Sequence, residues 1–131
     1  MRHYLPQVGD VIKVNCGVYS HVGVYVGKRP GSSQDVVHNE KNQGVILSTL
    51  TEFSRGRAIL LHRQAEGDWR DRAKIAQRAI SLIGTKYDLW KFNCEHAASL
   101  AQTGTAESPQ IAAFICFACL VLVLAVFARG K

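Results

Sequence analysis

The sequence lacks several patterns that mark common classes of protein. It has no internal repeat and no low-complexity segment, and its first ten residues, MRHYLPQVGD, contain no apolar stretch of a secretory signal. A length of 131 residues excludes a large multidomain enzyme. A hydrophobic share of 47% is too high for a disordered chain. We therefore expect one small folded domain that is made in the cytosol.

Motifs for cofactors and metals are also missing. There is no GxGxxG or GK[ST] glycine loop, and no HExxH or CxxC spacing outside a C-terminal apolar run. Of the four cysteines, Cys116 and Cys119 lie in that run, whereas Cys16 and Cys94 are far apart. We expect no metal site, no cofactor and no disulfide framework. A free functional thiol in a reducing compartment fits this pattern.

Positive charge is in excess without being concentrated. The formal net charge is +6, and 14 of the 16 basic residues precede position 111, as do all 10 acidic residues. No basic patch with interleaved aromatic residues is present, so nucleic-acid binding is not expected. The excess would favour anionic lipid headgroups, although ordinary solubility charge explains it equally well.

The C-terminal apolar run, residues 111–128, reads IAAFICFACLVLVLAVFA and carries no charge. As a helix it would be about 27 Å long, close to the ~30 Å hydrocarbon thickness of a bilayer. It predicts a membrane-anchor helix, and a helix lying in the interface stays open. A core or self-association helix is less favoured, because a domain of about 110 residues has little core in which to bury it. Arg129 and Lys131 would then be translocated, against the positive-inside tendency.

The chain before this run predicts an α+β fold. Strand patterns occupy residues 11–16, 21–27, 35–40, 45–49 and 58–62. A loop with Pro30 and Gly31 covers 28–34, and a helical turn covers 49–56. Strands first and helices second indicate a small antiparallel sheet packed with helices.

Two helices are predicted in the second half of the domain. The first runs from a cap at Asp68 to about Ile83, with Ala76, Ala79, Ile80 and Ile83 at helical spacing on one face. Residues 85–92 are a connector, and Asn93 can cap a second helix that reaches about Gln102. We expect a catalytic domain over 1–104, a linker over 105–110 and the anchor over 111–128.

Cys94 is placed for nucleophilic chemistry, because it falls in the first turn of the second helix. Free backbone N–H groups and the helix dipole stabilise a thiolate there, and the same N–H groups can bind an oxyanion. A thiolate is the nucleophile that acyl transfer needs. On spacing alone the signal is weak, since a lone cysteine at a helix start is more often structural.

His21 and His38 could supply a base and its orienting partner. His21 opens the strand HVGVYVG, and His38 lies in the next strand, DVVHNE. If these strands pair, both side chains can approach the thiol as a generalised triad. The alternative is that both are ordinary strand residues. His96 is two residues from Cys94 on a helix, points to another face and is expected to support packing.

Together these pieces resemble a known family. PQVGDVIKV, HVGVYVG, VVH, the helix before Gly84 and YDLWKFNCEH follow in an order, over about residues 5–110, that is similar to the lecithin:retinol acyltransferase-like family. That family is related by circular permutation to the NlpC-type papain-like cysteine peptidases. The resemblance implies that Cys94 takes the acyl group as a thioester, that His21 is the general base and acid, and that His38 orients His21. Tyr25 and Tyr87 match supporting positions.

The resemblance and the apolar run together predict a membrane-anchored thiol acyltransferase or phospholipase. Its substrates would be glycerophospholipid acyl esters, its partner the bilayer, and its catalytic domain would face the cytosol. Two other readings stay open. The same residues would suit a papain-like cysteine peptidase or amidase, and the chain could be a non-enzymatic, membrane-associated interaction module. The sequence does not assign an oligomeric state.

Overall fold

The computed structural model describes residues 3–28, 34–89 and 93–129. Its strands are β1 (Val11–Asn15), β2 (Ser20–Lys28), β3 (Gln34–Glu40), β4 (Gly44–Thr49) and β5 (Leu60–Arg63). Its helices are α1 (Leu50–Ser54), α2 (Trp69–Ser81), α3 (Cys94–Thr103) and α4 (Pro109–Arg129). Most of the predicted loop over 28–34, with Pro30 and Gly31, and the end of the predicted connector lie outside the described residues.

The five strands form one antiparallel sheet in the order β4-β3-β2-β1-β5. The α+β prediction is confirmed, and each strand begins and ends within two residues of its predicted bounds. From β1 to β4, antiparallel order follows from the short connections between successive strands, which allow hairpins but no helical crossovers. Strand β5 follows α1 and pairs with β1 at the other edge of the sheet.

The two faces of the sheet are covered by different elements. Because successive strand residues point to opposite faces, Val22 and Val24 of β2 pack with Ile75 of α2 and Ala97 of α3. On the other face Ile12, Val14, Tyr25 and Val36 pack around Phe53 of α1 and Ile59. Residues His21 and Gly23 share this second face with Tyr25, since they alternate with the valines of β2.

The predicted buried face of α2 is partly wrong. The helix buries Ile75, Ala76 and Ala79, but Ile80 and Ile83 are each 43% exposed. The apolar stripe that reaches the sheet is displaced towards Ile75, and Ile83 lies beyond the end of the helix at Ser81. The predicted cap is present, because the Asp68 carboxylate accepts hydrogen bonds from two backbone N–H groups of the first turn.

Helix α4 stands apart from this packing. None of its residues is buried, and within the described ranges it is the one helix long and apolar enough to cross a membrane. It begins at Pro109, two residues before the predicted anchor, because proline suits the first turn of a helix. Lys131 of the predicted anchor flank lies outside the described residues.

The segment before β1 is held by a buried carboxylate to which sequence reasoning gave no role. Asp10 is fully buried and accepts hydrogen bonds from the Tyr4 hydroxyl at 2.8 Å, the Gln7 N–H at 3.0 Å, the Ala65 N–H at 2.9 Å and the Arg72 guanidinium at 3.1 Å. Burial raises the pKa of Asp10, but these donors outweigh it and hold the pKa below the ordinary value.

Replacing Asp10 by Asn should lower the free energy of unfolding by about 2–4 kcal/mol, because it leaves the Arg72 charge without its partner. Since the pKa is lowered in the folded state, the contribution of Asp10 is present above the ordinary carboxyl pKa of 3.8 and lost as pH falls. Urea unfolding in detergent measures both effects. Glu66→Gln, at an exposed position, is the control, and equal midpoints for the Asp10 variant and the wild type would contradict the account.

Candidate active site

The structure brings together the two histidines that the sequence proposes. The β2–β3 register pairs Gly23 with His38 and leaves His21 diagonally opposite. The His21 Nε2 and His38 Nδ1 atoms lie 2.9 Å apart, and the two rings meet edge to face at 78°. The rings therefore share a proton between these two nitrogens. Each ring has one further nitrogen for another partner, Nδ1 in His21 and Nε2 in His38.

Gly23 makes this approach possible. A Cβ atom at position 23 would lie 2.6 Å from Val36 Cγ1, 3.0 Å from the Phe53 ring and 3.1 Å from His38 Cβ. Such distances are too short for a side chain, so glycine is required where the strands and α1 converge. The close approach gives a physical reason for the glycine in HVGVYVG.

Phe53 of α1 fixes both imidazole rings. Its ring centroid lies 5.4 Å from that of His21 and 5.3 Å from that of His38, and its side chain is buried. Helix α1 is held by a capping box in which Thr49 and Glu52 bond reciprocally. Sequence reasoning predicted the helical turn but not this contact.

Ser48 extends the histidine pair into a chain of hydrogen bonds. Its Oγ atom lies 2.7 Å from His38 Nε2. If His38 donates from Nε2 to Ser48, its Nδ1 atom accepts from His21 Nε2, and the Nδ1 atom of His21 is then a free base. This is the tautomer that a general base at His21 requires. The sequence analysis did not identify Ser48, whose contact with His38 is compatible with this tautomer.

Glu40 is the other missed residue of the site. One carboxylate oxygen lies 3.5 Å from His21 Nε2, 3.4 Å from His38 Nδ1 and 2.9 Å from an Arg55 nitrogen. Arg55 has a left-handed backbone with φ of 50° at the end of α1, a conformation that costs energy for a residue other than glycine. The sequence does contain a signal for Glu40, because this residue follows His38 by two positions and so lies on the same face of the strand.

The two histidines differ as proton carriers. Burial lowers the pKa of His21, the Glu40 carboxylate opposes this shift, and the Arg55 charge adds to it. Burial, His21 and Arg55 together lower the pKa of His38 to about 3. Both rings are therefore neutral at pH 7. His21 is the one that a neighbouring carboxylate helps to protonate.

Cys94 starts α3, as predicted, and its thiol is buried. Burial raises the pKa of Cys94 to about 11, although the backbone N–H groups of Val22, Glu95 and Cys94 itself donate towards the sulfur and act in the opposite direction. The expectation of a stabilised thiolate is therefore wrong for this state, because desolvation outweighs the helix N-terminus. A thiol in this state would need a base to remove its proton before it could act as a nucleophile.

The thiol and its candidate base approach from different faces of the sheet. Cys94 packs in the cluster that contains Val22, whereas His21 packs against Phe53 on the opposite face. The Val22 N–H that faces the sulfur directly follows His21 in the chain. Within the described residues no hydrogen bond joins Cys94 to either histidine. The two groups are therefore neighbours around the start of β2, and proton transfer between them would require a closer approach.

The remaining predicted residues have distinct surroundings. Asn93 Oδ1 accepts from the Glu95 N–H at 2.9 Å and the His96 N–H at 3.1 Å, and His96 Nδ1 accepts from the Asn93 N–H at 3.0 Å. His96 thus completes the helix cap, in line with a packing role. Tyr25 is buried in the second cluster. Burial, followed by the nearby Cys94, raises the pKa of Tyr87, which places it beside the site.

His21, His38 and Glu40 are also the group of described residues that could hold a metal ion, since their ligand atoms lie within 4.8 Å of one another. Two of those atoms, however, already share a proton across 2.9 Å. A metal would have to displace that proton and the ion pair of Glu40 with Arg55. The arrangement is better suited to moving a proton than to binding a cation.

Comparison with known proteins gives one match. The family model described as lecithin retinol acyltransferase matches residues 4–107. No curated protein matches the chain. The matched part includes both histidine strands, Glu40 and Cys94, and it ends just before α4.

Replacing Glu40 by Gln should change the pH dependence of activity. Without its carboxylate the lowered pKa of His21 falls further, so the acidic limb of the kcat/KM profile should move to lower pH. We expect kcat to fall roughly tenfold, which corresponds to about 1.4 kcal/mol less stabilisation of the imidazolium. Glu66→Gln should leave the profile in place. An unchanged acidic limb in Glu40→Gln would show that Glu40 does not tune His21.

Proposed function

Because the chain belongs to the lecithin retinol acyltransferase family, we propose that it is a membrane-anchored thiol acyltransferase or phospholipase that acts on acyl esters of glycerophospholipids. Family membership gives acyltransferase or phospholipase-type activity in general. The observation that carries the finer proposal is the hydrogen-bonded His21–His38 pair beside the helix that begins at Cys94. It supports the proposal because nucleophilic catalysis by a thiol needs a base near it and a group that orients the base.

In the first half of the reaction the Cys94 sulfur attacks the ester carbonyl carbon, and its proton passes to Nδ1 of His21. The resulting imidazolium donates through Nε2 to His38 and lies 3.5 Å from the Glu40 carboxylate. His21 then returns the proton to the leaving oxygen as the C–O bond breaks. A lysophospholipid leaves, and the acyl group stays on Cys94 as a thioester.

In the second half an acceptor attacks the thioester. Water gives a free fatty acid, whereas an alcohol or amine gives an acylated product. His21 takes the acceptor's proton and gives it to the departing sulfur, which restores the buried thiol. The raised pKa of Cys94 supports this cycle, because it favours return of the proton to the sulfur.

The surroundings of the sulfur support oxyanion binding. The N–H groups of Val22, Glu95 and Cys94 point towards it from two different elements, β2 and the start of α3. An oxyanion that forms on the attacked carbonyl would lie within reach of the same donors. Preformed donors of this kind stabilise the charge that develops in the transition state.

Positive charge in a cleft beside His21 supports a phospholipid substrate. A small cleft beside His21 is lined by Arg55 and Arg57. The Arg55 side chain is 69% exposed, so its charge faces solvent as well as Glu40. Guanidinium groups bind phosphate oxygens in a bidentate manner, which suits a glycerophospholipid headgroup.

Helix α4 supports action at a membrane. None of its 21 residues is buried, and residues 111–128 among them are all apolar. A tethered enzyme meets its lipid substrate at a raised effective concentration. The cytosolic orientation of the domain stays a prediction from the sequence. No step of this mechanism requires a metal or a cofactor.

The test is fatty-acid and lysophospholipid production by the full chain in vesicles of labelled phosphatidylcholine. Cys94→Ala should lose activity roughly a thousandfold or more, as expected for loss of a nucleophile. The matched control is Cys119→Ala, because Cys119 is an exposed free cysteine of α4 that does not line the cleft beside His21. That variant should keep most of the activity.

Equal product formation by wild type and Cys94→Ala would exclude the proposed mechanism. Absence of lipid turnover, together with labelling of Cys94 by an electrophilic peptide probe, would point instead to the peptidase or amidase reading. Cellular function that survives Cys94→Ala but is lost on deletion of 111–131 would favour the interaction module.

A further inference from the structure

The start of α4 is bonded directly to the strand that carries His21. The Gln110 side chain accepts from the Ser20 N–H at 3.2 Å and donates to the Ser20 carbonyl at 3.2 Å. Ser20 is the first residue of β2 and immediately precedes His21. This reciprocal pair joins positions 90 residues apart in sequence, so α4 does not leave the domain through a free linker.

The same turn of α4 is bonded to the helix that carries Cys94. The buried Glu95 carboxylate accepts from the Ser108 hydroxyl at 2.6 Å and from the Gln110 N–H at 3.0 Å. The Asn93 side chain donates to the Ser108 hydroxyl at 3.1 Å. We call these five residues (Ser20, Asn93, Glu95, Ser108 and Gln110) the anchor junction. It fixes the start of α4 against the neighbours of both Cys94 and His21.

The length of α4 sets the height of this junction relative to a bilayer. Its 21 residues span about 31 Å at about 1.5 Å per residue, which matches the ~30 Å hydrocarbon core. If α4 crosses that core, Gln110 lies at its boundary. The interfacial layer adds roughly 5–8 Å on each side. Groups bonded to Gln110 therefore lie at the level of the lipid headgroups.

Three exposed apolar side chains lie around the anchor junction. Val18 and Tyr19, in the turn between β1 and β2, are 103% and 54% exposed. Leu89 is 51% exposed, and its carbonyl accepts a hydrogen bond from the Asn93 side chain at 3.1 Å. Val18 is two residues from Ser20, so their Cα atoms are at most about 7 Å apart. We call Val18, Tyr19 and Leu89 the docking rim.

We propose that the docking rim inserts into the interface of the bilayer that holds α4, so that the site around Cys94 and His21 faces the lipids of that same leaflet. This inference rests on the proposed function and identifies which lipids the site can reach. The occupant is lipid rather than a partner protein, because the rim lies beside the residues to which the start of an apolar helix of membrane length is bonded. Tyrosine and aliphatic side chains are favoured at such an interface.

The experiment uses the full chain in phosphatidylcholine vesicles whose acyl chains carry bromine near the glycerol, a quencher of tryptophan emission. Val18→Trp places a probe on the rim. Leu5→Trp is the matched control, since Leu5 is also apolar and 83% exposed but lies in the segment before β1. Emission of the wild type, which reports the native tryptophans, is subtracted from both.

The emission added by Val18→Trp should be quenched by brominated lipid, whereas that added by Leu5→Trp should not. Equal quenching of the two probes, or no quenching of either, would overturn the proposal. Because this measurement needs no turnover, its failure is distinguishable from failure of the proposed chemistry.

A second variant tests the consequence for catalysis. Val18→Asp should lower the rate with vesicle phospholipid roughly tenfold, the factor expected when one exposed valine loses apolar surroundings. Its rate with a water-soluble short-chain ester should not change. Leu5→Asp should leave both rates as in the wild type. An equal loss with both substrates in Val18→Asp would mean that the change damages the site, and it would contradict a membrane-docking role.

Discussion

The buried carboxylate of Glu95 is the constraint on which the arrangement of the molecule depends. It lies next to Cys94 and accepts hydrogen bonds from Ser108 and from the first turn of α4. Asn93 bonds to the same Ser108 hydroxyl while it caps α3. A buried charge is tolerated only with such partners, so the start of α3 and the start of α4 are fixed together. The direction in which the thiol faces is therefore tied to the direction of α4.

The pairing of the two histidines depends on a second set of contacts, built from strand register and from α1. Gly23 allows Phe53 and His38 to approach β2, and the histidines then lie 2.9 Å apart. The Ser48 hydroxyl bonds to Nε2 of His38 and so leaves Nδ1 of that ring for His21. Glu40 offsets part of the cost of charging His21, which burial otherwise opposes. A thiol with a raised pKa and a base assisted by a carboxylate suit proton transfer that accompanies attack rather than a standing thiolate.

Much of this could be predicted from the sequence, because local pattern decides it. Alternating apolar and polar residues predicted the strands, and Asn93 predicted the cap of α3. The position of His21 and His38 on successive strands predicted that their side chains would meet. The features that could not be predicted depend on contacts between residues that are far apart in the sequence. The pKa of Cys94 follows from burial under the sheet, which a helix start does not reveal. The bond of Gln110 to Ser20 joins segments 90 residues apart, and no periodicity marks it.

The central claim is that Cys94 carries the acyl group between donor and acceptor. Mass spectrometry of the full chain, mixed with phosphatidylcholine and quenched with acid at short times, tests this claim most directly. The account predicts a hydroxylamine-sensitive acyl mass on the peptide that contains Cys94, matching the acyl chain of the lipid supplied. Release of fatty acid while Cys94 stays unmodified and another residue becomes acylated would contradict it.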